Sequence, residues 1–356
     1  MHQTKPAPLT LASRGEGVSV IRLSEIHGKS WRDTENKRGV KPAVDFALSE
    51  PFQLLTPESA RRLKAAADAE LGGAHEYSTK RTAACVRGAR ALEELVASIG
   101  PELEDLATEL VGNGLRMRLL NPMDNAHLNV QRDVQSHPVD NWHQDSTPFV
   151  LVTILTDHTD DPGGHLIVRP SLLDSTHDAT RNWKLSTPGQ ACFMQGSHIW
   201  HMAQQSEIGE RFTLVTSFYC DDPLVYDMSS MHAALQYSSP VRAVDEFLHH
   251  ALSRLSESAA MAPKMSLVSP RAALACNNII GREVRKLFYE YRTGWDLIPA
   301  ERKTFQVTEM WSKFRETVMA LDDALTHSKS LVHVHRSVGD AARKMLDMLQ
   351  PSHGKL

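Results

Sequence analysis

The sequence predicts an α+β protein whose mainly β core lies between two helical flanks. Three observations carry this. Between about residues 113 and 222, short apolar or alternating runs follow one another, bounded by Pro, Gly, Asn and Asp. Ahead of them lie helical stretches with recognisable start and stop residues. After them, two long segments each open on Ser-Pro, with Ser as N-cap and Pro at the first helical position. Short strands without intervening helices indicate a sandwich or barrel rather than βαβ units.

In chain order, residues 1 to about 45 are polar and read as irregular in part. "FQLLTPESARRLKAAADAELGG" reads as a short strand and then a helix, with Thr56 as N-cap, Pro57 first in the helix, and Gly72 and Gly73 as the stop. "ALEELVASIG" and "PELEDLATELVG" are two more helices, the second with acidic residues in its first turn, where the helix dipole favours them. The strand candidates are "LRMRLLNP", "AHLNVQRDV", "PFVLVTIL", "GGHLIVRP", "QACFMQGS" and "RFTLVTSFYC". The tail is helical to its end, and Met310, Phe314, Met319 and Leu321 are expected to form the apolar face of one of its helices. The implied regions are an N-terminal helical or mixed flank (1–112), a β core (113–222) and a C-terminal helical region packing on that core (223–356).

With 356 residues, 41% of them hydrophobic, the chain can bury a sizeable core. A formal net charge of -4 gives no support for nucleic acid or an anionic membrane as partner. The four cysteines, Cys85, Cys192, Cys220 and Cys276, form no CxxC pair, which argues against a zinc knuckle or a disulfide framework. No apolar run approaches bilayer-spanning length and the N-terminus has no signal-peptide core. The expectation is a cytoplasmic protein, monomeric or homodimeric, acting on a small molecule.

Chemistry is suggested by "NWHQDSTPFVLVTIL", residues 141–155, where His143 and Asp145 sit at the mouth of an apolar strand. On an extended chain, residues two apart face the same way, so this pair can offer a nitrogen and an oxygen to one ion. Among 18 histidines the His-x-Asp pattern alone says little, and it recurs as His158-x-Asp160 in an Asp- and Gly-rich loop. A third ligand would come from His198 or His201. Ten residues after His201 comes Arg211, then Thr213 on the same strand face. Two histidines and one carboxylate make the facial triad of mononuclear non-haem iron oxygenases, which leaves open positions on the metal. Arg211 could grip a carboxylate with a bidentate fork while Thr213 adds a hydrogen bond.

Taken together, His143-x-Asp145, His201 and Arg211-x-Thr213, with the "PGGHL" turn and "GERFTLVTSF", resemble the Fe(II)/2-oxoglutarate-dependent dioxygenases, in particular small-molecule oxygenases of fungi and bacteria. The resemblance covers roughly residues 120 to 222. It implies a double-stranded β-helix, a jelly-roll-like barrel, flanked by the N-terminal and C-terminal helices. It also selects His201 over His198 as third ligand. Fe(II), 2-oxoglutarate and O₂ are the implied cofactors, with Arg211 and Thr213 on the far carboxylate of 2-oxoglutarate. Asn129 and Gln131, two apart in "HLNVQRD", are candidates for its C1 end, and Arg169 in "LIVRP" for a substrate carboxylate. The implied activity is oxidation of an unactivated C–H, by hydroxylation, desaturation or oxidative cyclisation, with release of succinate and CO₂. A free amino acid is the expected substrate. The competing reading is a metal-binding barrel without 2-oxoglutarate turnover, such as a cupin-like isomerase or a non-catalytic protein. A zinc hydrolase would share the triad but leave Arg211 and Thr213 unexplained.

Overall fold

The computed structural model describes residues 9–13, 17–73, 76–77, 84–120, 126–133, 138–169, 180–222, 225–232, 235, 239–327 and 331–349. It is α+β, with its strands arranged in antiparallel sheets. The chain divides into two compact units, one ending at Cys220 and one starting at Asp221.

The first unit carries the strands. They are β1 (Val20–Arg22), β2 (Phe46–Ser49), β3 (Phe52–Gln53), β4 (Glu76–Tyr77), β5 (Ala84–Val86), β6 (Met117–Leu119) and β7 (His127–Gln131). They continue with β8 (Asp140–His143), β9 (Phe149–Ile154), β10 (Leu166–Arg169), β11 (Arg181–Trp183), β12 (Gln190–Met194), β13 (Trp200–Ala203) and β14 (Arg211–Cys220). Helices α1 (Leu23–His27), α2 (Pro57–Glu70), α3 (Arg90–Ala97) and α4 (Gly100–Val111) belong to the same unit. Helix α2 starts where its sequence dictates: Thr56 Oγ1 accepts from the Ser59 N–H, and Pro57 takes the first position.

A main sheet runs β1-β2-β12-β9-β14-β7-β5-β4, with β3 joined to β12 and β6 to β14. A smaller sheet runs β11-β10-β13-β8. From β7 to β14 the chain passes back and forth between the two. Alternation along the strands then decides what lies between the sheets. Val150, Val152 and Ile154 of β9, Met194 of β12 and Val215 of β14 join Leu166 and Val168 of β10 and Trp183 of β11 in one buried cluster. The opposite face of the main sheet is aromatic: Phe149 and Phe193 stack with ring centroids 5.9 Å apart, and Phe218 meets Phe193 edge-on at 5.5 Å.

The segment read as polar and partly irregular contributes more order than expected. β1 pairs with β2, and β2 joins the main sheet through β12, so Ile21, Leu23 and Ile26 enter the same buried cluster. At the other edge β5 pairs with β7.

The second unit is helical: α5 (Pro240–Val268), α6 (Pro270–Gly294), α7 (Phe305–Thr326) and α8 (Leu331–Leu349). The expected stripe on α7 needs correction. Phe314 and Leu321 are buried, but Met319 is 51% exposed, and the buried face is Val307, Trp311, Phe314, Val318 and Leu321. A straight 3.6-residue period places Met319 beyond the edge of that stripe. Buried charges in this unit are paired: Asp227 accepts from Lys286 Nζ and His250 Nε2, each at 2.9 Å, and Lys286 also meets Glu283. No helix among the described residues is long and apolar enough to cross a membrane.

Candidate metal centre

His143 and His201 are direct cross-strand partners on β8 and β13, which brings together residues far apart in sequence. Their ring centroids are 4.1 Å apart. His201 also pairs with Val168, a member of the buried cluster, so both rings point between the sheets. In each ring Nδ1 faces a main-chain carbonyl, that of Asn141 for His143 (2.6 Å) and that of Ile199 for His201 (3.2 Å). A carbonyl only accepts, so Nδ1 carries a hydrogen in each ring, and Nε2 is the atom turned towards a shared ion. Both Nε2 atoms turn to Asp145, at 3.3 Å for His143 and 3.4 Å for His201. Donors sharing one ion at about 2.0–2.2 Å lie roughly 3–3.4 Å from one another. The three ligand atoms all lie within 4.8 Å of each other. Burial pushes the His201 imidazole down to about 4, aided by His143 and opposed by Asp145, so at neutral pH it is uncharged.

Asp145 stands in the turn leading into β9, where its N–H donates to the Gly196 carbonyl at 2.9 Å. The residue between His143 and Asp145, Gln144, is clamped from the N-terminal flank. Its Oε1 accepts from the Lys37 N–H (2.7 Å) and its carbonyl from Lys37 Nζ (2.5 Å). His198 is not in the cluster. Its Nδ1 meets Ser197 Oγ at 2.8 Å and its Nε2 the Val40 carbonyl at 3.0 Å, so both ring nitrogens are committed. His165 points its Nε2 at the Pro162 carbonyl, 3.2 Å away.

A second cluster shares this interior. Arg211 and Thr213 on β14 pair across to Gln131 and Asn129 on β7, and Val215, next on the same face, belongs to the buried cluster. Arg211 is only 1% exposed. Its Nη1 donates to Thr213 Oγ1 at 2.6 Å and its Nε has no hydrogen-bond partner. No carboxylate among the described residues lies within ion-pair distance of it. Burial lowers its pKa to about 10, against the raising influence of Asp161 and Asp140, so the guanidinium remains charged at neutral pH. Asn129 bridges the two clusters: its Nδ2 reaches Asp140 Oδ2 at 3.4 Å, and that oxygen is 3.7 Å from His143 Nε2.

The remaining expected site residues are placed differently. The Gln131 amide is spent on the loop before β14, donating to the Asp133 and Ser206 carbonyls and accepting from the Ser206 N–H. Arg169 follows Val168 on β10 and so faces away from the histidines, stacked 3.9 Å over the Trp142 ring. Residues that sequence reading missed are Asp140, Gly196 and Lys37. "DNWH" and "QGSH" carry no pattern that marks them: strand pairing brings Asp140 to the site, and loop contacts bring Gly196 and Lys37.

No family model matches the chain, and no curated protein matches it. Solved structures do. A 2OG-Fe(II) oxygenase family oxidoreductase from Burkholderia pseudomallei is 14% identical, with 45% of this chain and 77% of that one covered at a TM-score of 0.32. A prolyl-4-hydroxylase from Pseudomonas putida is 14% identical over 48% of this chain and 91% of that one, TM-score 0.35. AviO1 from Streptomyces viridochromogenes is 17% identical over 57% and 96%, TM-score 0.34. At such identities and TM-scores the likeness transfers no chemistry, which has to come from the side chains.

Proposed function

We propose that the chain is an Fe(II)- and 2-oxoglutarate-dependent oxygenase that oxidises a C–H bond of a small molecule. The observation that carries this reading is Arg211: a buried cation, without an ionic partner among the described residues, in the same interior as two histidines and a carboxylate. A buried charge without a partner is costly, and an anionic ligand that enters the site offsets that cost. The carboxylate of a cosubstrate would supply that anion.

The donor set fits the metal. Two imidazoles and one carboxylate suit Fe(II), with both Nε2 atoms turned to Asp145. Bound there, iron and 2-oxoglutarate would supply the oxidising chemistry, using O₂ and releasing succinate and CO₂. His143, Asp145 and His201 would hold the metal. Arg211 and Thr213 would hold the far carboxylate of the cosubstrate, and Asn129 its near end; Gln131 is occupied elsewhere. The Asn141 and Ile199 carbonyls fix both rings in the binding tautomer. Burial of the interior excludes water from the reacting groups.

We read the alternating path from β7 to β14 as the double-stranded β-helix of a catalytic core at 113–222, extended by strands of the N-terminal flank. We assign the substrate to free amino acids or related small carboxylates. The test is to supply Fe(II), 2-oxoglutarate and O₂ with a panel of such compounds, and to measure succinate alongside a mass change of +16 or -2 in the substrate. Metal binding without succinate under every condition would favour the non-catalytic reading.

A further inference from the structure

We propose that Gly196 is a positioning residue for the Asp145 carboxylate, and that the metal site requires glycine there because any side chain would displace a ligand. This rests on the reading of Asp145 as a ligand. Gly196 lies in the turn between β12 and β13. A Cβ built on it would fall 2.9 Å from Cγ of Asp145, 3.3 Å from its Cβ, and closer still to Oδ2. Carbon and oxygen atoms that are not bonded make favourable contacts only at about 3.5 Å or more. One of the two residues would have to move.

The backbone of Gly196 is not the part that yields. Gln195 N–H donates to the Ala47 carbonyl at 2.7 Å, His198 N–H to the Gln195 carbonyl at 2.9 Å, and Ser197 Oγ to the Pro148 carbonyl at 3.1 Å. The Gly196 carbonyl itself accepts from the Asp145 N–H. The far end of Asp145 is a single rotatable carboxylate, and rotation is the cheap escape. Rotation takes Oδ1 and Oδ2 away from the two Nε2 atoms they now face. Gly196 is not among the glycines with positive φ, so alanine suits its backbone. Gly189 differs: its φ is +89° and a Cβ there would strike the Leu55 carbonyl. Glycine at 189 serves the chain path; glycine at 196 serves the carboxylate.

The experiment uses the full-length protein stripped of metal and titrated with Co(II) as the probe, for wild type, Gly196→Ala, Asp145→Ala and the double variant. Thermal unfolding of each is followed in chelator. Gly196→Ala is expected to keep a wild-type unfolding temperature and to bind Co(II) about 10- to 100-fold more weakly, the range seen when support of a ligand is lost. Adding it to Asp145→Ala should weaken binding no further. Wild-type affinity in Gly196→Ala overturns the proposal. If Gly196→Ala unfolds, recovery of stability in the double variant upholds a clash with the carboxylate, and an equally unstable double variant overturns it. A wild-type protein that binds no Co(II) sinks the ligand reading itself, which is a different failure.

Discussion

Two His-x-Asp triplets stand in this chain, and their side chains are used in opposite ways. At His143 the ring commits one nitrogen to a carbonyl and leaves the other facing Asp145 and His201 at spacings suited to a shared ion. At His158 both nitrogens are spent at hydrogen-bond distance: Nε2 on Thr156 Oγ1 and Nδ1 on Asp161 Oδ2, each 2.8 Å. Its carboxylate is Asp161, not the Asp160 of the sequence pattern. Burial alone would raise the Asp161 carboxyl, but hydrogen bonds from Ser206, Glu207 N–H, His158 and Gly163 N–H hold it at about 2. Thr156 Oγ1 in turn accepts from the Phe212 N–H, beside Arg211. In the proposed reading the first triplet holds a metal. The second is a closed clasp that fixes the entry to β14.

The sharpest way to break this contrast is to remove each histidine. His143→Ala should weaken Fe(II) or Co(II) binding by more than about 100-fold, abolish turnover, and change stability little. His158→Ala should do the reverse, leaving metal affinity intact and costing about 2–4 kcal/mol of unfolding free energy by denaturant melt. Similar profiles for the two variants would erase the distinction.

Arg211→Met is expected to lower affinity for 2-oxoglutarate by about 100- to 1,000-fold, the equivalent of about 3–4 kcal/mol, with metal affinity unchanged. Calorimetric titration of cosubstrate into the anaerobic Fe(II) protein measures it. Equal loss for metal and cosubstrate would mean that Arg211 holds up the site rather than an anion.

A smaller effect concerns His198, the histidine rejected as a ligand. Burial lowers it from 6.5 to about 4, partly offset by the Val40 carbonyl. The unfolded chain therefore takes up a proton near pH 6.5 that the folded chain resists until about pH 4. The stability tied to the neutral ring is present above pH 6.5 and is lost as pH falls towards 4, by about 3 kcal/mol at 1.36 kcal/mol per pH unit. His198→Leu should flatten the unfolding free energy across that window in chelator. An unchanged slope would show that His198 does not carry it.

How legible these features were depends on where the apolar residues fall. Strands β9, β12 and β14 announce themselves because both their faces are largely buried, which leaves apolar runs, while β7 and β10 are marked by alternation. Strands β8 and β13 do not. "DNWH" and "WHMA" spend their inward positions on Asp140, His143 and His201, so the strands that carry the candidate ligands lack the pattern that reveals strands. The pairing of His143 with Asp145 and of Arg211 with Thr213 was legible because period-two geometry ties each pair to one side of an extended chain. Asp140 and Gly196 were not, because their meaning lies in the register between strands. Met319 misled because one apolar residue at the edge of a helical stripe reads like a member of it.

The claim that one interior holds both a metal triad and an anion seat is tested most directly by visible absorption during an anaerobic titration of 2-oxoglutarate into the Fe(II)-loaded protein. The expected result is a weak charge-transfer band that grows to saturation at one equivalent. The band should be absent in Asp145→Ala and shifted to much higher cosubstrate concentration in Arg211→Met. A wild-type protein that binds Fe(II) yet develops no band, or binds 2-oxoglutarate equally well without metal, would contradict it.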